Sequence, residues 1–211
     1  MTTTYLKKID STQTYLKNLL KEKKVNAPHL VLADIQTNGI GSRNNLWTGI
    51  EGNLFLSFAI SLSELPKDIK LESCSIYYAY LLKDILNNLN SSVWLKWPND
   101  FYIKDKKIGG LITNISGKNL VCGVGLNLLS APDTFGKLDI NISKYKLLEL
   151  YIQNIEKKYL WKQVFSKYKL EFYRNKDFYT HDDNIKISLD TATLQDDGSI
   201  IINGKRIYSL R

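Results

Sequence analysis

The sequence predicts an α+β fold: a mixed, largely antiparallel sheet flanked by helices, with a small β-barrel at the C-terminal end. Three observations predict it. Strand-like runs follow one another from Val93 to Leu128 with no helical stretch between them, which argues against a doubly wound parallel sheet. Helical periodicity is confined to segments before and after that run. Beyond Asp177 the chain is cut into short apolar runs by Asp196-Asp197-Gly198 and Asn203-Gly204, both tight-turn signals.

The opening residues to Asp10 are polar and fit either a frayed end or an edge strand. Asp10, Ser11 and Thr12 offer N-cap chemistry to a helix whose Tyr15, Leu16, Leu19 and Leu20 recur on one face up to Lys24. Leu30 to Ile35 is a strand, and Asn53 to Leu62 is a second, apolar enough to be central. From Glu72 to Leu89, Ile76, Tyr77, Tyr80, Leu81, Ile85 and Leu89 keep a 3.6-residue period. Val93 to Lys96 is a strand halted by Pro98. Phe101 to Ile103 and Ile108 to Ile115 form a hairpin over Lys104-Asp105-Lys106, and Leu120 to Leu128 follows as its neighbour. Ser143 to Arg174 is helical, as two helices meeting near Lys158 to Trp161. The short runs after residue 178 are too few to stand alone and should pack as a small barrel on the main domain, giving domains 1–178 and 179–211.

A chain of 211 residues with 44% hydrophobic content can bury a sizeable core. Its apolar runs are too short to span a bilayer, and its start lacks a basic-then-apolar signal, which places it in the cytoplasm. Cys74 and Cys122 have no metal-ligand spacing, so reduced, buried thiols are expected rather than nucleophiles. The net charge of +8 raises nucleic acid as a partner. The lysines are scattered among acidic residues, however, and no helix-turn-helix, zinc-finger or RNP-type pattern accompanies them. A solvated basic surface is the better reading, and attraction to an acidic protein substrate is compatible with it.

Three strings carry polar chemistry. Gln36 to Trp47, QTNGIGSRNNLW, has neither helical nor strand period and leaves a strand; Gly39 and Gly41 let consecutive N–H groups converge on an anionic or carbonyl oxygen. By itself it reads equally well as a surface loop. Lys96-Trp97-Pro98-Asn99-Asp100 ends a strand at a turn where an amide and a carboxylate can face a ligand, or form an ordinary Asn-Asp turn. Lys107 is followed by Gly109-Gly110 inside a strand, and Gly123-Val124-Gly125-Leu126-Asn127 repeats the device on the next. Two neighbouring strands thinned to glycine describe the floor of a pocket.

These strings, in this order and spacing, resemble those of biotin–protein ligases, with Asp10-Ser11-Thr12 resembling that family's early D-S-T-type segment and the D-D-G tail its SH3-like C-terminal domain. KWPND followed by K-x-x-G-[IL] is the most specific part. The resemblance implies an enzyme that adenylates biotin with ATP and Mg²⁺ and passes it to a lysine of a biotin carboxyl carrier protein. It implies Lys107 as the catalytic cation for the biotin carboxylate and the α-phosphate. It implies Ser11, Thr12, Gln13, Gln36, Gly39, Ile40, Gly41, Ser42, Gly109 and Gly110 as the biotin site. Arg43, Trp47, Asn99, Asp100 and Asn127 are implied on the ATP side, with Asp100 reaching Mg²⁺ through the phosphates. The chemistry is consistent: bringing a carboxylate to a phosphate requires a fixed cation, and a buried urea requires hydrogen-bond partners.

This chain departs from the family's usual G-R-G-R-R-G-R-x-W loop, carrying Ile40, Ser42, Asn44 and Asn45 where arginine, arginine, glycine and arginine are frequent. Gln13 stands where the family's S-T-N has asparagine. Fewer loop cations imply weaker retention of the adenylate. Because the ligase-like motifs begin at Asp10, no DNA-binding helix-turn-helix is expected ahead of them. A homodimer on the main sheet fits the resemblance, which covers monomers too. A lipoate–protein ligase of the same fold and a basic nucleic-acid-binding module are the competing readings.

Overall fold

The computed structural model describes residues 1–41, 46–47, 49–182 and 185–209. Strand β1 (Thr2–Ile9) opens the chain at the sheet edge, parallel to β2 (His29–Gln36), which resolves the opening segment as an edge strand. Between them runs α1 (Thr12–Lys21), begun by Ser11, whose hydroxyl accepts from the Thr14 amide at 3.3 Å. A two-residue pair, β3 (Gly39–Ile40) with β4 (Leu46–Trp47), follows. Then come β5 (Leu54–Ser61), α2 (Cys74–Asn88), β6 (Trp94–Lys96), β7 (Asp100–Ile103), β8 (Lys106–Ser116) and β9 (Asn119–Leu126). The main sheet has seven strands in the order β1-β2-β5-β9-β8-β7-β6, antiparallel at every pairing after the first.

Side-chain alternation gives this sheet two different faces. Leu30 and Leu32 of β2, Leu56 and Phe58 of β5, and Leu120, Cys122 and Val124 of β9 enter the main core. There α2 lies against the sheet, α3 (Lys144–Glu156) and α4 (Trp161–Glu171). Its periodic face was legible in the sequence, yet Ser75, Tyr78, Ala79 and Leu82 are buried as well, because a helix between a sheet and two helices has almost no solvent side. On the other face lies α1, where Leu16 packs on Val31, Ala59 and Val121. Ten residues cover only part of that face.

The C-terminal segment forms a two-stranded sheet, β10 (Tyr179–Asp182) with β11 (Ile185–Ser188), and a three-stranded one, β12 (Thr193–Leu194), β13 (Ile200–Ile202) and β14 (Lys205–Ile207). Strand β10 precedes the first strand that the sequence suggested. The Asp196-Asp197-Gly198 turn is bonded to the main domain: the Trp97 indole donates to the Gly198 carbonyl at 2.8 Å, Trp161 to that of Asp196 at 2.8 Å, and the Ser73 hydroxyl to that of Asp197 at 2.7 Å. Gly198 has φ +79°, and a Cβ there would lie 2.7 Å from Ile76, so the turn demands glycine twice over. No helix among the described residues is long and apolar enough to cross a membrane.

Candidate functional site

The open part of the α1 face holds a slot. Its floor is the β8–β9 pair at Gly110↔Gly125 and Ile112↔Gly123, so the predicted glycine thinning lies on adjacent strands and in register. Its wall is the start of α1, with Ser11, Thr12 and Gln13, together with Gln36 at the end of β2. Gln36 Oε1 accepts from both the backbone N–H and the hydroxyl of Thr12, each at 2.8 Å, and that hydroxyl also meets Ser57 Oγ at 2.9 Å. Ser57 was not singled out from the sequence. Its signal was available, a hydroxyl in the middle of an otherwise apolar central strand.

Trp47 closes the slot. A Cβ built on Gly125 would lie 2.6 Å from the Trp47 indole nitrogen, so the ring rests on space that only glycine leaves. Phe135 supports it edge-on, with ring centroids 5.8 Å apart. The remaining cavity is about 50 Å³, whereas small-molecule pockets run to ~300–1,000 Å³. Two donors in it, Gln13 Nε2 and Trp47 Nε1, are buried with no hydrogen-bond partner among the described residues. An orphaned buried N–H forfeits roughly 1–3 kcal/mol. Two in one slot mark where a ligand's acceptors would sit.

Lys107 reaches the slot through a local irregularity. The β7–β8 register shifts between Phe101 and Tyr102, which pair with Gly109 and Lys107, so Ile108 is the extra residue of a bulge. Strict alternation from Gly110 and Ile112 would send Ile108 to the slot and Lys107 to the core. The bulge reverses this, burying Ile108 completely and placing Lys107 beside the cavity, 2.6 Å from Asp100 Oδ1. Asp100 Oδ2 lies 4.0 Å from Lys96, and Asn99 donates its side-chain amide to the Leu111 carbonyl. Asn99, Asp100 and Lys107 line both the slot and a second, larger groove of about 720 Å³. That groove opens toward β10 and β11, lined by Lys17, Lys96, Tyr179, His181 and Lys186 among others.

Of the residues implied by the resemblance, Ser11, Thr12, Gln13, Gln36, Ile40, Gly41, Trp47, Asn99, Asp100, Lys107 and Gly110 are brought together around the slot. Ser42 and Arg43 lie outside the described residues. Gly39 and Gly109 do not line the slot. A Cβ on Gly109 would meet the Gly125 carbonyl at 2.5 Å on the core side, so its glycine serves strand packing. Asn127 lines neither the slot nor the groove. Its side chain is 98% buried, donates to the Gly136 carbonyl at 3.0 Å and accepts from Asn53 at 3.4 Å. Gly136 N in turn bonds the Lys107 carbonyl at 2.9 Å, so Asn127 shapes the loop that carries Phe135 and braces the lysine's backbone. Burial pushes the Cys74 thiol up to about 12 and raises the fully buried Cys122 as well, which removes both as nucleophiles at neutral pH.

Fold and site together define an α+β domain that couples a narrow polar slot to a wide basic groove across one lysine. The chain belongs to the biotin/lipoate A/B protein ligase family, whose family model matches residues 5–127. It is 32% identical over 127 residues to the bifunctional ligase/repressor BirA of Escherichia coli, a match covering 57% of this chain and 38% of that protein. It thus spans well under half the length of that relative. A crystal structure of biotin acetyl coenzyme A carboxylase synthetase from Helicobacter pylori with bound biotinylated ATP superposes with a TM-score of 0.94 at 40% identity, covering 98% of each chain. The biotin protein ligase of Aquifex aeolicus, in complex with biotin and ATP, shares the fold at 21% identity and a TM-score of 0.79, covering 100% of this chain and 96% of that one.

Proposed function

We propose that this chain activates biotin with ATP as biotinyl-5′-AMP and transfers the biotinyl group to a lysine of a biotin carboxyl carrier protein. The observation that carries the reading is the slot itself: two buried donors without partners among the described residues, Gln13 and Trp47, over a glycine floor that ends at Lys107. The lining suits the chemistry of a small ligand with a polar ring and a carboxylate tail, the ring among Thr12, Gln13, Gln36 and Ser57, the tail at Lys107, and the space under Trp47 must widen to admit it. The name of the Helicobacter pylori relative, a biotin acetyl coenzyme A carboxylase synthetase at 40% identity, supports this over a lipoate substrate.

In the first step a biotin carboxylate oxygen bonds to the α-phosphorus while the bond to the β-phosphate oxygen breaks, releasing pyrophosphate. Lys107 offsets the charge of the two approaching anions, and its Asp100 ion pair fixes where its ammonium sits. In the second step a carrier lysine amine attacks the acyl carbon and AMP leaves. Mg²⁺ fits this site in one way only. Among the described residues no three metal-ligating side chains cluster, so the ion would be held mainly by phosphate oxygens, with Asp100 as the single nearby carboxylate. It would supply charge neutralisation on the phosphates.

Weighing a carrier domain after incubation with MgATP and either biotin or lipoate tests the reading. A mass gain of one biotinyl group is expected. No gain with biotin, or a gain with lipoate alone, overturns it.

A further inference from the structure

Strand β6 is an edge of the main sheet, and the backbone leaves it at Trp97, which is completely buried. Trp97 opens the turn Trp97-Pro98-Asn99 between the paired residues Lys96 and Asp100. At a sheet edge a buried N–H finds no further strand to accept it. The acceptor comes from far along the chain: Oδ1 of Asn175, itself without exposed surface, accepts from the Trp97 N–H at 2.7 Å. Asn175 ends the 3-10 turn Phe172–Asn175 that follows α4. Its Nδ2 donates to the Phe172 carbonyl at 2.9 Å, and its own carbonyl accepts from Phe178 N at 2.9 Å. The side chain therefore meets a donor with its oxygen and an acceptor with its nitrogen, which leaves its amide one orientation.

The turn that this bond begins carries the site. Asn99 is tied to β8 twice, its carbonyl accepting from Leu111 N at 3.0 Å and its side-chain amide donating to the Leu111 carbonyl. Asp100 lies over Gly110, where a Cβ would come 3.1 Å from Asp100 Oδ1, and that oxygen is 2.6 Å from Lys107 Nζ. Resting on the adenylation reading above, we propose that Asn175 is a positioning residue for biotin activation, holding this turn at its start so that Asp100 sets the place of the Lys107 ammonium. Asn175 lines neither the slot nor the groove, so it acts along one short path, from the Trp97 N–H through the turn to Asp100 and on to Lys107. The Trp97 indole bond to Gly198 fixes the ring; the Asn175 bond fixes the backbone. A misplacement of about 1 Å at a reacting centre can cost roughly 100-fold in rate, so slack at the start of the turn is felt as rate.

The test measures adenylate formation by the full chain, with the fold of each variant checked by circular dichroism. Asn175→Ala should lower kcat about 30-fold and move the KM for biotin less than about twofold. In a Lys107→Ala background the same change should add less than about twofold, because the group it positions is gone. Asn175→Asp keeps the shape of the side chain and decides the matter where the alanine variant does not fold. Protonated, the introduced carboxyl accepts from the Trp97 N–H and donates to the Phe172 carbonyl as the amide does; ionised, it sets an oxygen against that carbonyl. Burial favours its neutral form, so kcat relative to the parent should stand near parity at about pH 5.5 and fall roughly tenfold by about pH 8. A parental kcat in a folded alanine variant overturns the proposal, as does a fully additive loss in the Lys107→Ala background or a pH-independent ratio for the aspartate variant. Failure here is separable from failure of the adenylation reading: a parent chain that shows no biotin-dependent exchange of pyrophosphate into ATP sinks the latter.

Discussion

The slot and the groove sit on either side of Lys107 and solve opposite problems. The slot is small, mostly uncharged and built of hydrogen-bonding groups already aligned by one another, Thr12 on Gln36 and on Ser57. The groove is more than ten times larger in volume and lined by lysines from four elements. The first offers fixed hydrogen-bonding geometry; the second offers positive charge. Hydrogen-bond recognition of a neutral ring needs buried partners held within tenths of an ångström. A phosphate chain tolerates looser placement, because Coulomb attraction falls slowly with distance.

The comparison breaks most completely at the residue the two regions share. Lys107→Ala should lower adenylate formation by about 10²–10³-fold, the scale of removing one fixed stabilising group from a developing charge. Biotin affinity measured calorimetrically without ATP should fall far less. An equal loss in both would mean that Lys107 serves the slot alone.

Next in size is a contrast between two glycines one strand apart. Gly125→Ala puts a methyl where the Trp47 indole rests, so biotin binding should weaken about 100-fold at little cost in stability. Gly109→Ala drives a methyl into the Gly125 carbonyl and should cost about 1–3 kcal/mol of stability by thermal or urea unfolding. Should Gly109→Ala be the one that loses biotin while staying stable, the assignment of faces is wrong. Thr12→Val is milder. It leaves Gln36 Oε1 short of a donor, and the KM for biotin should rise about tenfold with the KM for ATP little moved.

What the sequence disclosed, and what it withheld, follows from the same division. Paired glycines on neighbouring strands announced the floor, because few other roles need glycine twice inside a strand. The α+β order and the main helices were legible from their periods. The bulge at Ile108 was not: it inverts alternation locally, and only the register with β7 shows that Lys107 rather than Ile108 faces the cavity. The surroundings of Asn127 were hidden for a related reason. A polar residue ending a glycine-bearing strand looks like a ligand contact, but its neighbours turned out to be the Gly136 carbonyl and Asn53, over 70 residues away in sequence. Lys17 and Lys186 carried no motif at all; their meeting is a product of tertiary structure.

The smallest expected effect concerns how the groove's outer wall is held. Burial alone would raise the Asp197 carboxyl, yet the hydroxyl and backbone N–H of Ser199, at 2.5 and 3.0 Å, together with Arg206 and Lys70, bring it below the usual carboxylate range. Its carbonyl accepts from Ser73 in the turn that also receives Trp97 and Trp161, so this carboxylate fixes the turn that ties the C-terminal sheets to the main domain. A depressed folded-state pKa contributes stability that is fully present above the unfolded value, about 3.9, and is lost as pH falls through the lower folded value. Asp197→Asn should therefore lower the midpoint of unfolding by a few degrees at pH 7 and converge with the parent in strong acid. A gap between the two that stays constant from neutral pH down to pH 2 would show that the turn is held by its backbone and tryptophan bonds without help from the charge.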